Sequence, residues 1–217
     1  MEMKTAVIVA HGDLVVTPEA EELVRQADLI IAADGGAASA LAQGWQPHIL
    51  VGDLDSAPPD VCARVKACGA EVLRYPARKD ETDTELALRT ALDRGAQQVY
   101  LLGALGGRFD HALANLLLLA LPELAGVRVT ILAGRQRIFA IRHRAEIPGR
   151  PGDLVSLLPL GGDAIGIWTT GLEYPLQGGT LRFGAARGIS NVITQPPAEV
   201  RLESGLLLAI VTPQQTR

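Results

Sequence analysis

Short apolar runs alternate with amphipathic stretches through the first half of the chain. The runs at 5–10, 29–33, 49–51, 71–75, 99–102 and 127–132 are bounded by Gly, Asp or Pro, which predicts buried strands. Between them the periodicity lengthens and predicts helices over 37–43, 58–68, 82–94 and 110–121. A further helix opens at Thr17-Pro18-Glu19, with a Thr cap and Pro in the first helical position. The segment 110–121 is so apolar that burial on most of its sides is expected. Strands alternating with helices predict a doubly wound, mostly parallel α/β layer. After Gly134 helical patterning stops. Short runs follow at 138–141, 154–158, 165–169, 180–183, 190–194, 199–203 and 206–211, separated by Gly and Pro. That spacing predicts an antiparallel sandwich or barrel-like unit. The chain is therefore divided into an α/β domain, 1–140, and a β domain, 141–217.

Composition narrows the function classes. The 217 residues are 48% hydrophobic and 20% charged, as in an ordinary globular protein. A net charge of −4 argues against a nucleic-acid binder driven by phosphate neutralisation. Arg135, Arg137, Arg142, Arg144 and Arg150 cluster locally, which fits the solvated face of a hairpin. Cys62 and Cys68 form neither a disulfide framework nor a metal-ligand pattern, so a reducing, cytoplasmic compartment is expected. The first apolar run soon meets His11 and Asp13, reading as a strand and not a signal peptide. No apolar run approaches membrane-spanning length.

The candidate chemistry gathers behind the predicted strands. Asp53 and Asp55 stand two apart in VGDLDSA, on a loop after a buried strand. Two carboxylates so spaced can face one hard cation such as Mg²⁺, which takes oxygen ligands and substrate phosphates. The loop after 29–33 carries Asp34, Gly35 and Gly36. Lys79, Asp80, Thr82 and Asp83 follow 71–75, and Gly106, Gly107, Arg108 and Asp110 follow 99–102. If the strands are parallel, all these loops share one edge, where ligands bind in open α/β sheets. Carboxylates for Mg²⁺, cations for phosphate and glycines for backbone approach are the equipment of phosphoryl chemistry. Local roles compete. Thr82-x-x-Glu85 is a capping box, and Asp83 suits the helix dipole. Neither a P-loop nor a dinucleotide-binding glycine fingerprint occurs.

The set DGGA from Asp34, GDLDS from Gly52, KDETDTELAL from Lys79, GALGGRFDHALAN from Gly103, TTGLEYPL from Thr169 and GISN from Gly188 resembles the thiamine pyrophosphokinase family. Each motif is short, but together they run in order over nearly the whole chain. The resemblance implies an α/β catalytic domain followed by a β-sandwich. It implies transfer of a pyrophosphoryl group from ATP to the hydroxyl of thiamine, giving thiamine diphosphate and AMP. It implies a homodimer whose thiamine sites lie between the catalytic domain of one subunit and the sandwich of the other. Position by position, Asp53, Asp55 and Asp83 are expected to hold Mg²⁺. Asp34, Gly35 and Gly36 are expected to line the nucleotide cleft. Lys79, Asp80 and Thr82 face phosphates or thiamine, with Asp80 or Asp83 orienting the hydroxyl. Gly106, Gly107, Arg108 and Asp110 meet ATP, and Ser190 and Asn191 meet the pyrimidine. Val192 and Ile193 follow that pair where some members carry an aromatic, which leaves stacking to Tyr174 or Trp168. The rival readings are a diphosphokinase acting on a hydroxymethylpterin and a non-catalytic thiamine or nucleotide module.

Overall fold

The computed structural model describes residues 3–214 of the chain, which falls into two compact units. One comprises Met1–Leu118 with Gly126–Gly134, the other Leu119–Ala125 with Arg135–Arg217.

In the first unit, β1 (Thr5–Val9), β2 (Leu29–Ala33), β3 (Ile49–Gly52), β4 (Glu71–Arg74), β5 (Gln98–Leu102) and β6 (Arg128–Ala133) stand in the order β6-β5-β1-β2-β3-β4. Every neighbouring pair is parallel. The alternating strands and helices of the sequence thus become a doubly wound layer. Parallel strands covered on both faces carry near-continuous apolar runs, and β2 is buried at all five positions.

The helices are α1 (Pro18–Gln26), α2 (Gly36–Ala42), α3 (Pro59–Ala67), α4 (Asp83–Asp93) and α5 (Phe109–Leu118). α1 starts where the Thr17 hydroxyl accepts from the Ala20 N–H at 3.1 Å. α4 starts in the same way, with Thr82 accepting from the Glu85 N–H at 3.1 Å. Thr84, Ala87, Leu88 and Ala91 recur at helical spacing and are buried. They form the stripe that seats α4 on the layer, so the position of Asp83 is fixed by packing.

The second unit has two antiparallel sheets. β7 (Gln136–Ile141), β9 (Leu154–Pro159), β12 (Asn191–Val192) and β14 (Leu207–Thr212) stand in the order β12-β9-β14-β7. β8 (Arg144–Ile147), β10 (Ala164–Thr170), β11 (Gln177–Leu181) and β13 (Ala198–Arg201) stand in the order β11-β10-β13-β8. Ile141, Val155, Leu157 and Leu207 from the first sheet share one apolar core with Ile147, Ile167, Leu181 and Val200 from the second. Of the two architectures left open by the sequence, this is the sandwich.

One expectation fails. The helix read over 110–121 runs Phe109–Leu118, and only Asn115 and Leu118 of it are buried. Phe109, Leu113 and Leu117, each four apart, form an exposed apolar stripe. High hydrophobicity does not reveal which neighbour covers a helix.

Candidate active site

Asp34 follows β2 in a left-handed backbone conformation, with φ of 44°. Its N–H donates to the Val51 carbonyl at 2.8 Å, and its carbonyl accepts from Ala37 N–H at 3.0 Å. The residue is thereby held between the β3 ladder and the first turn of α2. Gly36 must follow closely, because a Cβ there would sit 2.1 Å from the Val9 carbonyl oxygen.

Asp53 follows β3, and Asp83 opens α4. One oxygen from each of Asp34, Asp53 and Asp83 lies within 4.8 Å of the others. Gly52 makes this convergence possible. Its φ is 149°, and an added Cβ would stand 3.0 Å from Asp34 Cβ and 3.2 Å from Asp83 Oδ1. Lys79 supplies a cation, its Nζ 2.9 Å from Asp83 Oδ1 and 3.7 Å from Asp53 Oδ2. Three acids against one base leave excess negative charge. Asp34 Oδ1 is buried and accepts no hydrogen bond, while Asp83 Oδ1, also buried, has only the Lys79 ammonium 2.9 Å away. A buried carboxylate oxygen without a donor is costly, and a hard divalent cation is a group that satisfies it. The donor set therefore fits Mg²⁺.

The charges respond to this crowding. Burial pushes the Asp34 carboxyl above its ordinary value of 3.8, and the charges of Asp83 and Asp53 push it further. The Ser56 hydroxyl and Gly35 N–H oppose them without prevailing. Burial alone would lower Lys79, but its bond to Asp83 and the charges of Asp83, Asp53 and Asp34 raise it overall. A carboxyl raised on folding stabilises the fold fully below its unfolded pKa, and that contribution is lost as pH rises through the folded value. Ionised Asp34 is thus a liability at neutral pH without a cation. In metal-free buffer, Asp34→Asn should raise the thermal midpoint. The gain should grow from about pH 4 upward before levelling off. A pH-independent difference between variant and wild type would contradict this account.

Other residues expected at the site fall in several places. Asp55 is exposed and lies outside the three-acid cluster. Its N–H donates to Asp53 Oδ1 at 3.2 Å, and its Oδ1 accepts from the Ser56 hydroxyl at 2.9 Å. Between the two acids Leu54 has φ of 67° and packs on the apolar cluster around Leu50 and Val61. That inward turn separates the carboxylates that sequence spacing paired. Asp80 is exposed and outside the cluster, while the Thr82 hydroxyl caps α4.

On the β5 side, Gly12 N–H donates to Gly103 O at 2.7 Å and Asp13 N–H to Leu105 O at 2.7 Å. These bonds zip the loop after β1 to the loop after β5. The buried Asn115 anchors that second loop from α5, its Nδ2 donating to Ala104 O at 2.7 Å. The sequence reading gave Asn115 no site role, although a lone amide in an apolar helix was the available signal. Beyond Gly106 and Gly107, Arg108 Nη2 pairs with Asp110 Oδ2 at 2.6 Å, both exposed. Hydrogen bonding within the pair lowers the Asp110 carboxyl and raises Arg108. The pair forms a fork at the start of α5.

Within the second unit, the Asn191 carboxamide grips the backbone of Tyr174. Its Oδ1 accepts from Tyr174 N–H at 3.1 Å, and its Nδ2 donates to Tyr174 O at 2.8 Å. Neighbouring Ser190 has φ of 57°, and its N–H donates to Ser156 Oγ at 3.1 Å. The Tyr174 ring is thus presented, exposed, beside Ser190 and Asn191. Trp168 is engaged elsewhere, with the Arg201 guanidinium 5.3 Å from its ring centre.

Comparison with known proteins finds two family matches along the chain. Residues 20–131 match the family profile described as "Thiamin pyrophosphokinase, catalytic domain". Residues 141–207 match "Thiamin pyrophosphokinase, vitamin B1 binding domain". A thiamine pyrophosphokinase of Bacillus subtilis is 27% identical over 216 residues, covering 96% of this chain and 98% of that protein. Thiamine pyrophosphokinase 1 of Arabidopsis thaliana is 29% identical over 215 residues, covering 87% and 79%. The crystal structure of the Bacillus subtilis protein superposes with a TM-score of 0.85 at 26% identity, covering 98% of this chain and 100% of that one. The enzyme from Geobacillus thermodenitrificans gives 0.81 at 26% identity, covering 98% and 99%.

Proposed function

This chain belongs to the thiamine pyrophosphokinase family and is an ATP-dependent thiamine diphosphokinase, and we propose that transfer takes place at the sheet margin holding Asp34, Asp53 and Asp83. The reaction moves the pyrophosphoryl group of ATP to the thiamine hydroxyl, giving thiamine diphosphate and AMP. The observation that carries the assignment of the site is the convergence of three carboxylates within 4.8 Å, with Asp34 Oδ1 buried and without a hydrogen bond. Asp34, Asp53 and Asp83 hold Mg²⁺, and Asp55, whose N–H donates to Asp53 Oδ1, is the acid that the family resemblance adds to them. When bound, Mg²⁺ neutralises triphosphate charge and aligns the phosphates for in-line attack.

The chain's own residues do the rest. Lys79 and Arg108 take up charge on the phosphates, and Asp110 holds the Arg108 fork in place. Gly35, Gly36, Gly106 and Gly107 let backbone approach the nucleotide, and Thr82 fixes the first turn of α4. Asp80, free of the acid cluster, orients the thiamine hydroxyl and accepts its proton more readily than a carboxylate engaged by a cation. Ser190 and Asn191 meet the pyrimidine, and Tyr174, held by Asn191, is the ring that stacks on it. The protein works as a homodimer in the cytoplasm, with the sandwich of one subunit completing the thiamine site of the other. The exposed stripe of Phe109, Leu113 and Leu117 supports the dimer, since a monomer leaves it in water. No described helix is long and apolar enough to cross a membrane.

The test is an AMP-release assay with ATP, Mg²⁺ and thiamine, run beside a hydroxymethylpterin control. AMP and thiamine diphosphate should appear in equal amounts, the pterin should give neither, and excess chelator should stop the reaction. Undiminished turnover in chelator would remove the metal. Turnover of the pterin alone would change the substrate.

A further inference from the structure

The sheet order leaves one side chain with no role so far. β1 stands between β5 and β2, so the residues after it lie midway between the Arg108–Asp110 fork and the acid cluster. Strands are spaced about 4.8 Å apart, so β5 to β3 spans about 14 Å, comparable with an extended triphosphate and its ribose. Any nucleotide reaching from the fork to the acids passes over the end of β1.

That passage is floored with glycine. A Cβ on Gly12 would stand 2.4 Å from Leu105 O, and one on Gly106 would stand 2.9 Å from Asp13 N. From this floor rises His11, which is exposed. Its ring lies over the α-carbon of Gly35, where an added Cβ would meet Nδ1 at 2.5 Å, Cγ at 2.6 Å and Cε1 at 2.7 Å. The ring therefore occupies the space that any side chain at position 35 would need. The contact is made by the Nδ1 edge, which leaves Nε2 on the outer edge. His11 has no hydrogen bond to any described residue. A histidine that merely covered a strand end would need no glycine opposite it.

We propose that His11 is a nucleotide-binding residue, its Nε2–H donating to the phosphate chain of ATP between the fork and the acid cluster. The imidazole holds the middle of the polyphosphate while the two ends are held by charge. This deepens the family reading and rests on it, because it takes ATP as the nucleotide. A hydrogen bond to a charged phosphate is worth enough to change affinity about tenfold or more.

Steady-state kinetics of His11→Ala and His11→Gln test it. His11→Ala should raise KM for ATP about tenfold and leave KM for thiamine within about twofold. His11→Gln, which restores an N–H at similar reach, should recover most of the loss. Calorimetric binding of α,β-methylene-ATP, in which the bond to be broken is blocked, should weaken in parallel. Unchanged ATP KM and unchanged analogue affinity in His11→Ala would overturn the assignment, as would equal loss for both substrates. Absence of thiamine turnover in the wild type would instead count against the reaction, and the analogue titration would still decide the role of His11.

Discussion

Asp53→Asn is expected to lower kcat about a thousandfold while leaving the protein folded. Several kcal/mol of charge stabilisation depend on the cation that the acid cluster holds, and about 4 kcal/mol corresponds to that factor. Removing one charge from three carboxylates within 4.8 Å also relieves repulsion. Lys79 keeps its partner at Asp83, 2.9 Å away. The thermal midpoint in chelator should therefore be no lower than that of the wild type. Mg²⁺ should raise the midpoint of the wild type by mass action and that of the variant far less. The same measurements on Asp55→Asn decide whether the exposed carboxylate belongs with the three clustered ones. Wild-type kcat in Asp53→Asn would remove the metal assignment, and wild-type kcat in Asp55→Asn would remove Asp55 from it.

Gly52→Ala is expected to remove activity by a different route. Its φ of 149° lies where side chains are rarely tolerated, and the new methyl group would press on Asp34 Cβ at 3.0 Å. Strain of this kind costs about 1–3 kcal/mol. The neighbours that must give way are two of the three acids, so cation binding and turnover should fall together with stability. Measured Mg²⁺-dependent stabilisation should nearly vanish. An active, Mg²⁺-responsive Gly52→Ala would mean that the three carboxylates tolerate displacement.

The parallel layer was legible because β1, β2 and β3 are apolar runs closed by Gly or Asp, a pattern only fully covered strands need. β8 was not. Arg144 and Glu146 face solvent while Ile147 is buried, so its pattern is short and half charged. The cluster was legible in part. Asp53 and Asp83 could be paired because parallel strands bring their loops to one edge. Asp34 was read as lining the nucleotide, and its third place in the cluster depends on the left-handed turn at the end of β2. The distance between Asp53 and Asp55 depends on Leu54 turning inward, which spacing of two residues does not encode. His11 carried no motif, and only the glycine across from it gives it meaning. Asn191 was expected to touch substrate; that its carboxamide also holds the Tyr174 backbone is a contact the motif does not encode.

Asp34, Leu54 and Ser190 each hold a left-handed backbone without being glycine. Each such residue stores a small free-energy debt, on the order of 1 kcal/mol, that a glycine would cancel. Selection for heat resistance alone would be drawn to these three codons first. The changes it favoured would take away a carboxylate, the apolar anchor of the acidic loop, or the hydroxyl beside Asn191, so hardier descendants of this protein should emerge as poorer enzymes.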